Sequence, residues 1–272
     1  MRTVRGVGVG FRREIAEGLL TTSRPVDWVE IVSENFIGLE GRPRELLRRC
    51  ADRFAIVPHG VTLSPATAPD PAYLAGLSEL AARVDAPFVS DHVCFSRTGG
   101  QEWLDLLPLP FCAAAARRVA ASARTTQEVL GRPLLLENIT TYAVMPGSEW
   151  DETTFLRKIL EESGAGLLLD VTNLYVNSVN LAFDPHARME ELLTALGPCV
   201  RQVHLSGPTH DGQRLVDSHA SAVPAVVLEL FERVLRACGP VPTLVEWDAR
   251  IPAVDTVLDE VDRARRVWER FA

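Results

Sequence analysis

Residues 88–96 read FVSDHVCFS. Phe88, Val89, Val93, Cys94 and Phe95 make a run suited to a buried strand, yet Asp91 and His92 sit side by side at its centre. Burying such groups without partners costs a few kcal/mol each, so they must be paired, ligating something, or not buried. Successive side chains of a strand point to opposite faces, so only one of the two can point inward. His92 is expected on the inner face, with Cys94 further along the same side. Asp91 is expected to face outward, where it can accept from a backbone amide.

The same pattern recurs on either side. Apolar runs lie at 6–11 (GVGVGF), 28–34 (WVEIVSE), 54–64 (FAIVPHGVTLS), 133–139 (PLLLENI), 165–173 (AGLLLDVTN), 200–207 (VRQVHLSG) and 242–248 (PTLVEWD). Between them stand stretches of helical period such as PRELLRRCADR, PAYLAGLSELAARV, FCAAAARRVAASARTTQEVL, DETTFLRKILEES and MEELLTAL, and VDTVLDEVDRARRVWERF closes the chain. Eight strands alternating with helices is the count of a (β/α)8 TIM barrel, here one domain over residues 1–272. Near-continuous Val/Ile/Leu runs suit strands covered on both faces. An open doubly wound sheet is the runner-up, but GVGVGF lacks the G-x-G-x-x-G spacing that fold uses for phosphates.

Seven of the eight runs carry an ionisable group near their C-terminal end: Glu34, His59, His92, Glu137, Asp170, His204 and Glu246. Barrel enzymes build their sites at that end. Asp217 and His219, two apart in VDSHAS, would aim at one side of an extended segment over the barrel mouth. Taken singly, each has a plain explanation. A lone strand histidine is usually a hydrogen-bonded core residue, and an acid at a strand end is usually a helix cap. Asp70 reads as a cap before Pro71, and His186 and His210 as surface residues. Taken together, three histidines and at least three carboxylates in one mouth would desolvate and repel one another without cations. Nitrogen and oxygen donors without thiolate suit iron, manganese or zinc. More than six candidate donors exceed the needs of one ion, so at least two metals are expected in the mouth.

Composition narrows the rest. The 272 residues are 47% hydrophobic and 24% charged, enough for one large core, with a formal charge of −8. That charge argues against a nucleic-acid partner. No apolar run is long enough for a membrane span. The N-terminal MRTVRGVGVGFRRE lacks the features of a signal peptide, so a cytoplasmic location is expected. Five scattered cysteines without a C-x-x-C pair are expected to be reduced and buried.

The motifs HGVTLS, SDHVCFS, LLPLP, LLLENITTY, GLLLDVTNLYVNSVN, VHLSG, VDSHASAVP and PTLVEWD follow one another over nearly the whole chain. In order and spacing they resemble those of the multinuclear non-heme iron-dependent oxidative enzymes, the UPF0276 proteins. The resemblance implies a (β/α)8 barrel holding two or three irons of mixed Fe(II)/Fe(III) valence, with O2 as co-substrate. It makes His59, His92, Glu137, Asp170, His204, Asp217, His219 and Glu246 iron ligands, and it places Asn173 at the cluster, with its amide oxygen as a further ligand. Glu34, Asn35, Asn138 and Tyr142 fall among residues that orient ligands or substrate. The implied substrate is a ribosomally synthesised precursor peptide, modified at Cys or another side chain near its C-terminal region. A separate leader-recognition protein is the implied partner.

Pro208 and Leu181 stand where relatives often have histidine, and HGVTLSPAT departs from the usual glycine-containing continuation. These departures bear on substrate identity, not on the metal ligands. The rival reading is a divalent-metal sugar isomerase or phosphodiesterase on a similar barrel. The isomerase version calls for a catalytic lysine or further carboxylates, and Lys158 is the single lysine of the chain. A third reading is a metal-binding or peptide-carrier protein without turnover.

Overall fold

The computed structural model describes residues 3–98 and 101–272, so Met1 and Arg2 of the N-terminal stretch lie outside the described residues. Eight parallel strands close into a barrel: β1 (Val7–Gly10), β2 (Val29–Val32), β3 (Ile56–His59), β4 (Val89–His92), β5 (Leu134–Glu137), β6 (Gly166–Asp170), β7 (Val200–Leu205) and β8 (Thr243–Val245). Each pairs with its neighbours in sequence, and β8 closes on β1. The expected fold is the observed one.

Outside the barrel lie α1 (Ala16–Thr21), α2 (Arg42–Arg53), α3 (Pro71–Arg83), α4 (Ala113–Leu130), α5 (Glu152–Ser163), α6 (Val171–Asn180), α7 (Pro185–Leu196), α8 (Ala225–Cys238) and α9 (Val254–Trp268). Their starts follow local chemistry. Asp70, Asp151 and Asp184 each accept a first-turn amide, and Pro71 and Pro185 follow two of them where a missing N–H costs nothing. Apolar residues from strands and helices, among them Ile31, Leu136, Phe155 and Phe231, pack into one continuous core.

Several expected strands run too far. The run at 54–64 stops being strand at His59, and the run at 88–96 stops at His92, with a hairpin beginning at Phe95. The run at 165–173 turns at Asp170, whose Oδ1 accepts the Asn173 amide at 2.7 Å and starts α6 at once. Apolar content alone does not mark these ends, because the first turn beyond each strand is itself buried. All five cysteines are free, but only Cys50 and Cys94 are buried as expected; Cys112, Cys199 and Cys238 lie at helix or strand ends and are half-buried.

Candidate metal centre

Strand register brings the donors together. His92 pairs across the sheet with Glu137, and Asp170 with His204, so each pair points to the same side. His59 Nε2 and His92 Nε2 lie 3.3 Å apart. Glu137 Oε2 lies 3.5 Å from the first and 3.4 Å from the second. Such a triangle has the edges of a ligand set around an ion bound at about 2.1 Å. The other ring nitrogens are already held, His59 Nδ1 by Ser90 Oγ at 2.9 Å and His92 Nδ1 by the Gly60 carbonyl at 3.1 Å. That arrangement fixes ring orientation as it does in metal sites.

A second group adjoins the first. His204 Nδ1 faces Glu246 Oε2 at 3.2 Å and Glu137 Oε1 at 3.7 Å, so Glu137 presents one oxygen to each group. Asp170, Glu137 and His204 offer donor atoms within 4.8 Å of one another, as do Asp170, His219 and Glu246. His219 Nε2 meets Asp217 Oδ1 at 2.7 Å. The two meet because the backbone turns at His219, with φ at +45°, and not because the segment is extended as expected. Such a conformation costs a non-glycine residue on the order of 1 kcal/mol.

The residues fit a metal cluster. Glu137 Oε2 and Asp170 Oδ2 are buried and accept no hydrogen bond among the described residues. Burial pushes the Glu137 carboxyl well above its usual range, with Asp170, Glu246 and Glu30 repelling its charge against the pull of His204. Burial, with Asp217, raises Asp170 to about 7. Burial lowers His92 to about 4, and it lowers His59 well below the ordinary imidazole value with help from His92 and His204. Burial would also raise Glu246, but His204 and His219 beside it hold it well below the usual range. His204 and His219 go the other way. Burial opposes their charge, but Glu30 and Glu246 raise the first, and Asp217 and Glu246 the second, well above the ordinary imidazole value, so without metal their protons stand where cations would. No cysteine sulfur joins the set among the described residues.

The remaining expected residues take distinct places. Asn138 brackets Asp170, donating to its carbonyl at 3.0 Å and accepting its amide at 2.9 Å. Asn173 Oδ1 accepts the Thr140 hydroxyl at 2.6 Å while its Nδ2 donates to the Asn138 carbonyl. Tyr142 is 40% exposed, and its hydroxyl accepts the Asp217 amide at 3.2 Å. Glu34 lies not on β2 but in the turn after it. Its Oε1 gathers the amides of Val61 and Thr62 and the Tyr73 hydroxyl, and so holds the loop that follows His59. Asn35 is exposed beside a cleft at the mouth. Leu181 lines a separate apolar cleft with Phe111, Trp150 and Phe183.

Asp91 faces away as expected, accepting the Leu63 amide at 3.2 Å and that of His92 at 2.7 Å. His210 is exposed, whereas His186 is half-buried at the start of α7 rather than a free surface residue.

Three residues escaped the sequence reading. Glu30, fully buried in mid-strand, lies 3.1 Å from His204 Nε2 and accepts from Gln202 at 2.8 Å. Arg12 joins Glu246 at 3.2 Å to Asp248 at 2.5 Å, and Asp248 accepts from His219 Nδ1 at 3.0 Å. A lone acid inside the apolar WVEIV run was the available signal for Glu30. Arg12 and Asp248 carried none, since both lie beyond strand ends where charge is ordinary.

The model of the RiPP precursor modification enzyme family MbnB/TglH/ChrH matches residues 6–269. A UPF0276 protein of Anaeromyxobacter sp. strain Fw109-5 is 39% identical over 269 residues, covering 98% of this chain and 94% of that protein. One from Rhizorhabdus wittichii is 40% identical over 264 residues, covering 95% and 93%. Among solved structures, endonuclease IV from Thermus thermophilus superposes with a TM-score of 0.62 at 19% identity, covering 98% of this chain and all of that one. D-Psicose 3-epimerase from Clostridium cellulolyticum gives 0.59 at 10% identity, covering 98% and 97%. At these identities the two structures speak for the fold alone. Among the described residues no helix is long and apolar enough to cross a membrane.

Proposed function

Because the chain belongs to the RiPP precursor modification enzyme family MbnB/TglH/ChrH, we propose that it is a multinuclear, iron-dependent oxidase that uses O2 to modify a ribosomally synthesised precursor peptide. The modified position is Cys or another side chain near the peptide's C-terminal region. The observation that carries this reading is the continuous run of closely spaced His and carboxylate donors from His59 through Glu137 to His219, with Glu137 Oε2 and Asp170 Oδ2 buried and unpartnered among the described residues.

His59, His92 and Glu137 would hold one ion, and Glu137, Asp170, His204, Glu246, His219 and Asp217 the remainder, with Asn173 alongside. Bound iron supplies one-electron chemistry toward O2 and a coordination position for a soft substrate atom, which a donor set without protein thiolate leaves free. The chain's own residues do the rest. Asn138 fixes Asp170 from both sides, and Ser90 and the Gly60 carbonyl fix the two imidazoles. Glu30 holds the far nitrogen of His204. Arg12 balances Glu246 and Asp248 at the rim. A separate leader-recognition protein and a cytoplasmic location complete the proposal.

The isomerase reading finds no lysine in the mouth, although Glu30 and Asp248 add carboxylates there. Lys158 is exposed on α5 and pairs with Glu161, on the outer layer of helices and not at the strand ends. The test of the oxidase is anaerobic loading with iron(II), then O2 uptake and peptide mass spectrometry with the short peptide encoded beside the gene. Iron-loaded protein that consumes no O2 and leaves that peptide's mass unchanged would sink it.

A further inference from the structure

A cleft of about 700 Å3 opens beside the metal donors, between the ends of β1, β2 and β8 and the start of α2. This size lies within the roughly 300–1,000 Å3 of ligand clefts. Its inner wall belongs to the donor set, since Arg12 reaches Glu246 and Asp248 reaches His219. Arg12 is 9% exposed; its Nε and Nη2 are taken by Asp248 and Glu246, and its Nη1 has no partner among the described residues. The guanidinium lies over Gly10, where a Cβ would come within 3.1 Å of Nη1, so a bare backbone makes room for this cation.

The outer rim repeats the theme. Arg13 and Arg42 both line the cleft and are exposed, and neither has a carboxylate partner among the described residues. Arg24, Arg44, Arg48 and Arg49 are paired with acids. Arg117 and Arg118 on α4 have no carboxylate partner among the described residues, so it is the cleft beside the metal donors, and not the missing partner, that sets Arg13 and Arg42 apart. Helix α2 also begins here, behind Gly41, which offers no side chain to cap its first amides. Asn35 and the ring of Phe36 complete the wall. Glu14 lines the cleft too, and Asp248 is offset by Arg12, so selection rests on placed donors and not on bulk charge.

We propose that this cleft is a subsite for a carboxylate of the peptide substrate, gripped by Arg13 and Arg42, with the buried Arg12 cation behind its inner wall. It rests on the peptide reading above and adds a recognition element to it. Guanidinium forks match carboxylates in two parallel hydrogen bonds, which gives direction as well as strength. A carboxylate held there would set the neighbouring residue against the metal donors.

The test is equilibrium binding of three fluorescent probes to protein loaded with iron(II) under argon. Dansyl-Phe-Gly carries a terminal carboxylate, dansyl-Phe-Asp-amide a side-chain carboxylate, and dansyl-Phe-Asn-amide none. At least one acidic probe should bind about tenfold or more tightly than the neutral one, and which of them does so identifies the source. The double variant Arg13→Gln/Arg42→Gln should erase that preference with iron content unchanged. Arg117→Gln/Arg118→Gln, exposed on α4, should keep it. Equal binding of all three probes, no saturable binding, or a preference that survives the double variant would overturn the subsite. Iron content and peptide oxidation, followed on the same samples, report separately on the oxidase reading. A carboxylate preference in protein that takes up no iron would refute that reading and leave the subsite standing.

Discussion

His59 and His92 turn their Nε2 atoms toward each other at 3.3 Å, each within 3.5 Å of the same Glu137 oxygen. One proton between those nitrogens satisfies both of them but leaves the buried Glu137 oxygen beside them without a donor. A metal ion resolves the conflict. His92→Ala is therefore expected to lose at least one equivalent of bound iron by elemental analysis, with the barrel's circular dichroism intact. Unchanged stoichiometry would remove this triangle from the metal centre.

Asp91, one residue away, should behave differently. Its two oxygens accept buried amides from Leu63 and His92, and burial, with Glu34 nearby, raises its carboxyl well above the usual range. Asp91→Asn sets an amide donor against one of those N–H groups, at a cost of about 1–3 kcal/mol. The denaturation midpoint should fall while iron stoichiometry holds. Equal iron loss from both variants would mean that the two faces of β4 do different work from that assigned.

Asp170 links the site to pH. Its carboxyl titrates at about 7 in the metal-free fold, against 3.8 ordinarily, chiefly through burial. The folded chain thus holds a proton that the unfolded chain has released above about pH 4. Folding is progressively disfavoured as pH rises from about 4 to about 7, and the full penalty stands above that. Asp170→Asn keeps a helix cap but removes the charge. In metal-free protein its unfolding temperature should match the parent near the lower end of that window and exceed it above the upper end. The same variant should bind less iron, and a gain in stability confined to low pH would contradict the burial argument.

Gly207 tests the loop that carries Asp217 and His219. A Cβ there would sit 1.9 Å from the Ser221 carbonyl oxygen, which is backbone and cannot swing aside. Gly207 also accepts the Ala220 amide at 2.9 Å. Gly207→Ala should displace this loop and lower iron content, leaving the His59–His92–Glu137 group loaded. Full iron content in the variant would show that the loop is dispensable for binding.

Glu30 is the most informative residue that sequence reasoning passed over. Glu30→Ala leaves Gln202 and His204 without their buried acceptor and should destabilise the fold by about 3 kcal/mol or more. Glu30→Gln preserves shape and should retain more iron than the alanine variant. Equal iron in the two would reduce Glu30 to packing.

The barrel was legible because buried parallel strands write themselves as apolar runs, of which the leucines of PLLLENI and GLLLD are the plainest. His59, His92, Glu137, Asp170, His204 and Glu246 were legible because an ionisable group at a strand's end is costly and therefore conspicuous. Glu30 hid in mid-strand, where its partners Gln202 and His204 come from far along the chain. Glu34 drew notice by position, yet it serves a loop, because the strand ended two residues earlier than the run of apolar side chains suggested.

Asp170 is both the last residue of β6 and the cap of α6, so the amino end of a ten-residue helix faces the carboxylates of the mouth. The aligned peptide dipoles of that helix amount to roughly half a positive charge at this end. It is a counter-charge made of backbone, which no chelator can remove. Asp170 thus keeps a partial cation beside it whatever else occupies the mouth, so part of the site's charge balance is built into the chain itself.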